Sequence, residues 1–274
     1  MSLRTDLAGE AILTSDKAAA HGFTTSTLTN EQAGVEITRT HIHDTRAGEL
    51  IGKPPGRYVT VQFSQTLDNY SDSFKMRAQL IARELSRLCS NPQRALVAGL
   101  GNVHITPDAV GTLCAEKVFA TRHIKQFAHH LYTDALGEVT VIIPGVLGQT
   151  GIEAGDLVKA VCRRVDADVV IAVDALACRD IQSLGSVIQL TDTGISPGSG
   201  VDNARKELSK ATLGVPCVAV GVPTVTDHHF GTSTLMVTPR TVDKLVENAA
   251  DYISMAINLA LHPGLSFEDI RSLV

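Results

Sequence analysis

The chain has 274 residues, 44% hydrophobic and 19% charged, with 22 glycines, 10 prolines and no tryptophan. That is ordinary globular composition, enough for one large domain or a domain plus a smaller lobe. A net charge of −5 and 4% aromatics give no basic or stacking surface for nucleic acid, and no apolar run reaches the roughly 18 residues of a membrane span.

No secretory leader is read at "MSLRTDLAGE", so the protein is expected to be soluble and cytoplasmic, without a membrane partner. Cys89, Cys114, Cys162, Cys178 and Cys217 are isolated, odd in number and without a C-x-x-C. They are read as reduced core residues.

In chain order, residues 1–30 are polar and rich in Ser, Thr and Ala. They are expected to be loosely held, with 1–15 a candidate pro-segment. "VEITRTHIHD" and "RYVTVQF" alternate as half-buried strands do, with the turn signal "IGKPPG" between them. Residues 16–70 are therefore expected to form a small β-containing lobe. From Ser71, Phe74, Ala78, Ile81, Leu85 and Leu88 recur at helical spacing.

Short continuous apolar runs then alternate with helical patterns: "ALVAGL", "VTVIIPGV", "DVVIAVDAL", "SVIQL" and "PCVAVGV". Strands of that kind lie in sheets buried on both faces, and intervening helices make them mainly parallel. Residues 71–274 are thus expected to be one three-layer α/β/α domain, phosphorylase/hydrolase-like. A last helix is expected from Thr238, as cap, and Pro239 to "LALHPG".

Ligands of open α/β sheets bind beyond the carboxyl ends of the strands. "AGLGNVHITPDAVG" follows one such end. After Gly99 and Gly101 the next glycine is Gly111, which fails the dinucleotide fingerprint. Thr106 and Pro107 start a helix pattern and put Asp108 in its first turn, either as a dipole partner or as a site residue. Asp174 follows five apolar residues at another expected strand end, either as a cap or as a site residue. The two carboxylates face the same edge of the sheet.

In "IIPGVLGQTGIEAGD", Thr150 and Glu153 have the spacing of a capping box. The loop Gly145, Gly148, Gln149, Thr150 and Gly151 is either a plain turn or a source of amides for a substrate oxyanion. "TDTGISPGSGVDNARKEL", with Ser199 and Gly200, is read as a substrate loop. His104 is a site neighbour. His228 and His229 point opposite ways on an extended segment and make a poor chelating pair. No cofactor and no metal-ligand set is legible.

Together "RTDLAGEA", "GKPPGRYVTV", "GLGN…TPDAVG", "PGVLGQTGIE", "VDALA", "DTGISPGSGVDNARKELSKATLGVPCVAVGVPTV" and "ALHP" resemble the germination protease family of spore-forming bacteria, nearly end to end. The resemblance implies an endopeptidase that degrades small acid-soluble spore proteins in the spore core during germination. It also implies a self-processing zymogen, a homotetramer, and an atypical aspartic mechanism whose two residues fall on Asp108 and Asp174. The fold is similar to that of hydrogenase-maturation endopeptidases, which hold a metal with acidic residues near these positions and a His.

The chain departs from the family pattern at Val103 to Ile105, where a Trp and an Asn are usual. It departs again at Asp202, where a Gly is usual, and after "VPTV".

Two carboxylates that cleave peptides need opposite protonation states and titrate as a unit. Asp108 at a helix start is read as the base, and Asp174 beside a buried strand as the acid. The rival readings are a metal-dependent endopeptidase and a noncatalytic α/β binding module.

Overall fold

The structure, a computed structural model, describes residues 5–13, 22–68, 73–128, 136–197, 206–230 and 233–274. A nine-stranded sheet runs through it. The strands are β1 (Phe23–Asn30), β2 (Val35–Ile42), β3 (Gly56–Phe63), β4 (Arg94–Gly99), β5 (Glu138–Ile142), β6 (Val169–Cys178), β7 (Val187–Thr191), β8 (Cys217–Phe230) and β9 (Ser233–Val237). Their order is β1-β2-β3-β7-β8-β6-β4-β5, with β9 pairing the far end of β8.

The expected parallel sheet is present only in one half, where β8, β6, β4 and the edge strand β5 pair in parallel. The other pairings are antiparallel. The connections explain this. A four-residue turn joins β1 to β2, which only an antiparallel pair permits, whereas helices intervene between the parallel strands.

Helices cover both faces of the sheet. Residues of α3 (Phe74–Cys89), α4 (Val110–Glu116) and α9 (Val242–Leu261) join Ala95, Val97, Ile171 and Val173 in the larger core. Residues of α7 (Ala154–Val165) and α8 (Lys210–Leu213) join Leu96, Ala98, Val170 and Ala172 on the opposite face. Successive residues of β4 and β6 thus alternate between two apolar layers, so both strands read as unbroken apolar runs. The α/β class with helices on both faces is as expected.

Within the lobe expected over 16–70, the described residues 22–68 are not separate from the rest. Val35, Ile37, Val59, Val61 and Phe63 belong to the larger core, and β3 continues the sheet through β7. Strand β1, within the segment expected to be loose, pairs with β2 along all eight residues. Its "FTTSTLTN" is exposed on both faces and carries no apolar alternation, the signal on which the expectation rested. On α3, the buried Glu84 is held by Arg39 through two 2.8 Å contacts and by Arg87 at 2.6 Å, which removes the cost of an unpaired buried charge.

The N-terminal segment is anchored over residues 5–12, contrary to the looseness expected of it. Leu7 and Ala8 are buried. Asp6 N donates to the Ala177 carbonyl at 2.9 Å, and Ala177 N donates back to Asp6 Oδ2 at 2.8 Å. On α1 (Ala8–Leu13), the Glu10 carboxylate accepts from Thr5 Oγ1, Arg179 N, Asp180 N and Ser183 Oγ.

Two other boundaries differ from expectation. Thr150 ends a short helix, α6 (Leu147–Thr150), with Gly151 left-handed behind it, and α7 begins only after Glu153. The 150–153 capping box does not form. Helix α9 starts after Thr241, and the Thr238 hydroxyl donates instead to the Thr224 carbonyl at 2.8 Å. The five cysteines are free and buried as expected, and burial pushes the Cys89 thiol up to about 12.

Candidate active site

Strand β4 ends at Gly99, opposite Val173 of β6, and Leu100 N donates once more to the Val173 carbonyl at 2.8 Å. The chain then turns away at Gly101, whose φ of +98° suits glycine. A Cβ at Gly101 would lie 2.0 Å from the Asp108 carbonyl oxygen, and one at Gly99 would lie 2.2 Å from that of Gly111. These glycines therefore serve close approach of the turn and of α4 to the strand end.

Asp108 closes a 3₁₀ turn, Thr106–Asp108, that precedes α4, and the residue before that turn is Ile105. Thr106 is thus not a helix cap, and Asp108 is not in the first turn of α4. Asn102 organises the loop. Its N donates to Asp108 Oδ2 at 2.9 Å, and its Oδ1 accepts from His104 N at 3.0 Å and from Gln149 Nε2 at 2.8 Å. The Thr224 hydroxyl donates to the Pro107 carbonyl at 2.7 Å, tying the turn to β8.

Asp174 is not at the end of its strand. β6 runs on to Cys178 because β8 keeps pairing with it, Asp174 lying opposite Gly221. It is the other neighbour, β4, that has ended one residue earlier. Asp174 therefore stands where the parallel sheet opens, 4% exposed, with Oδ1 accepting from Ala175 N at 2.9 Å.

Asp108 and Asp174 line one cavity of about 590 Å³. Asp6, Lys53, Tyr58 and Gln189 line it too, and sequence reasoning passed over all four. Lys53 Nζ donates to the carbonyls of Thr5 and Asp6, both at 3.0 Å. Burial lowers the Lys53 pKa, against the opposing pull of Asp6 and Glu10. The Gln189 side chain accepts from Ala8 N at 2.6 Å and donates to the Asp6 carbonyl at 2.9 Å. The Tyr58 hydroxyl donates to the Pro54 carbonyl, and burial raises its pKa to about 12. The N-terminal segment is thus a wall of the cavity.

The glycine loop after β5 reaches the cavity through Val146, and none of Gly145, Gly148, Gln149, Thr150 and Gly151 is among the lining residues. The amides of Gln149, Thr150 and Gly151 donate to the Val146 and Leu147 carbonyls. Ser199 and Gly200 lie outside the described residues. His104 is exposed, as is His228 on the β8–β9 hairpin.

A bound metal of the kind implied by hydrogenase-maturation enzymes needs at least three donors. Among the described residues no three His, Cys, Asp or Glu side chains are so grouped. The described donors do not fit such a metal.

Residues 9–234 match the family model described as germination protease. The chain belongs to the germination protease family. Among curated relatives of that name, one from Caldanaerobacter subterraneus subsp. tengcongensis is 35% identical, aligned over 100% of this chain and 98% of its own. One from Clostridium tetani is 33% identical over 99% of each. One from Bacillus cereus is 40% identical over 82% of this chain and 64% of its own. Among solved structures, the [NiFe] hydrogenase maturation protease HycI from Thermococcus kodakarensis aligns with 64% of this chain and 98% of its own. That alignment is 21% identical with a TM-score of 0.39. The family is one of proteases, and among the described residues no helix is long and apolar enough to cross a membrane.

Proposed function

We propose that this protein is an endopeptidase that degrades small acid-soluble spore proteins in the spore core during germination, with Asp108 and Asp174 as its acid–base pair. The observation that carries the reading is that the two carboxylates, 66 residues apart in sequence, open on one cavity. Asp108, partly exposed on its turn, takes a proton from the attacking water. Asp174, buried in β6, gives a proton to the scissile amide nitrogen as its bond to the carbonyl carbon breaks. The pair regenerates when the proton returns through water. Val146 supplies a wall for the peptide.

Homotetrameric assembly and a zymogen stage belong to the same proposal. A self-cut near Glu10 would first require α1 to unwind and the hydrogen bonds of the Glu10 carboxylate to Thr5, Arg179, Asp180 and Ser183 to break.

The test is incubation of the purified protein with a small acid-soluble spore protein, with fragments read by mass spectrometry. Cleavage at a few discrete bonds by the wild type, and none by Asp108→Asn, is the expected result. A substrate left intact by folded wild-type protein, both at full length and trimmed after α1, would refute the reading.

A further inference from the structure

Strand β6 has a neighbour on both sides only as far as Val173. On one side β8 stays beside it to Cys178. On the other, β4 stops at Gly99, opposite Val173, and Leu100 N adds a last bond to the Val173 carbonyl at 2.8 Å. Beyond that point no strand of the described residues pairs with β6 on that side.

Along a strand the main-chain groups face the two edges in alternation. The Val173 carbonyl faces the β4 side. Ala177 faces it too: its carbonyl accepts from Asp6 N at 2.9 Å, and its N donates to Asp6 Oδ2 at 2.8 Å. Ala175 lies between them, so its N–H and C=O face the same way, and its N donates at 2.9 Å to the carboxylate of its own neighbour, Asp174. Asp174, Ala175, Leu176 and Ala177 all line the cavity. The open edge therefore runs along the cavity wall and begins at the buried acid of the pair.

An unpaired edge is a template for another strand. One peptide already uses its outer end. The main-chain N of Asp6 is bonded to Ala177, and the Asp6 carbonyl accepts from Lys53 Nζ at 3.0 Å and from Gln189 Nε2 at 2.9 Å. The wall thus holds a stretch of chain by its backbone, whatever side chains that stretch carries.

We infer that the open edge of β6, Ala175 to Ala177, is a main-chain binding site for the polypeptide that is cut, which enters as an added strand of the sheet. The inference rests on the endopeptidase reading and adds how the site takes its substrate. In this mode main-chain hydrogen bonds supply the affinity. The ligand is an extended stretch with a free N–H at every second residue, which excludes proline at those positions and a closed helix. A strand advances roughly 3.3 Å per residue, so pairing at Ala175 fixes the register of the peptide to within one residue of Asp174. Pairing at Ala177 requires Asp6 to leave.

The experiment uses the form of the protein, full-length or trimmed after α1, that cuts a small acid-soluble spore protein, and a short peptide spanning one bond that it cuts. Each amide other than the scissile one is replaced in turn by an ester, which removes one N–H and keeps every side chain. Two N–H groups, two residues apart, bond to the Ala175 and Ala177 carbonyls. Losing either should lower kcat/KM roughly 3- to 10-fold, the scale of one main-chain hydrogen bond, while the residue between them should lose less than about 2-fold. Hydrogen exchange then locates the edge. With the unmodified peptide bound to Asp108→Asn well above the KM of the wild type, the Ala175 amide should exchange more slowly, as read by mass spectrometry at single-residue resolution.

Ester substitutions without effect, or equal losses at successive residues, would overturn the inference and leave the endopeptidase reading standing. So would protection that appears only away from residues 174–178. If neither form cuts the spore protein, the endopeptidase reading fails and this inference fails with it.

Discussion

The main-chain amide of Asn102 donates to Asp108 Oδ2 at 2.9 Å. The glycine turn after β4 therefore aims its N–H at a side chain of its own loop, and it carries a carboxylate into the cavity. Asp174 reaches the same cavity from the neighbouring strand. If the two act as one unit, Asp108→Asn and Asp174→Asn should each lower kcat/KM on a small acid-soluble spore protein by roughly 10²- to 10⁴-fold. The double variant should lose little more, because groups that work together are not additive. Additive losses, or full activity in either single variant, would contradict a dyad. Activity should persist after exhaustive chelation. Activity lost on chelation and restored by one divalent ion would put a metal in place of the dyad.

Gln189 holds the N-terminal wall with both ends of its amide. Gln189→Ala would leave the buried Ala8 N–H without its 2.6 Å acceptor. An orphaned buried donor costs about 1–3 kcal/mol, so the denaturant midpoint should fall accordingly. Gln189→Glu keeps an acceptor for Ala8 N but sets a buried carboxylate oxygen against the Asp6 carbonyl, and should fall at least as far. Equal midpoints for wild type and Gln189→Ala would show that the segment is not anchored as described.

His262 is fully buried beneath Phe119, with Nε2 donating to the Phe119 carbonyl at 3.1 Å. Burial holds its pKa below the ordinary value of 6.5, against the smaller opposing effect of that hydrogen bond. The sign follows from proton counting. Below about pH 6.5 the unfolded chain takes a proton on this imidazole that the folded chain resists, so stability falls as the pH drops. Above that pH the contribution is fully present. His262→Gln should flatten the slope of unfolding free energy between pH 7 and 5, as measured by urea titration at each pH. An unchanged slope would assign the acid sensitivity to other groups.

Much of this architecture was legible from residue order. β4, β6 and β7 are buried along nearly their whole length, so their apolar runs announce a sheet covered on both faces. Helix α3 shows its spacing because one side packs on that sheet. Asp108 and Asp174 stand out because a carboxylate after an apolar run interrupts a pattern set by short-range geometry.

What lay out of reach was set by partners distant in the chain. Asp174 falls mid-strand because β8, more than 40 residues later, goes on pairing where β4 stops. β1 is a strand because β2 offers it eight register partners, not because its Thr-rich stretch has an apolar face. Asp6 and Ala8 are fixed by Ala177 and Gln189, over 170 residues away. Sequence periodicity records which side of an element is dry. Which edge pairs with which, and which polar residue from afar caps an open amide, is decided only when tertiary packing brings those groups together.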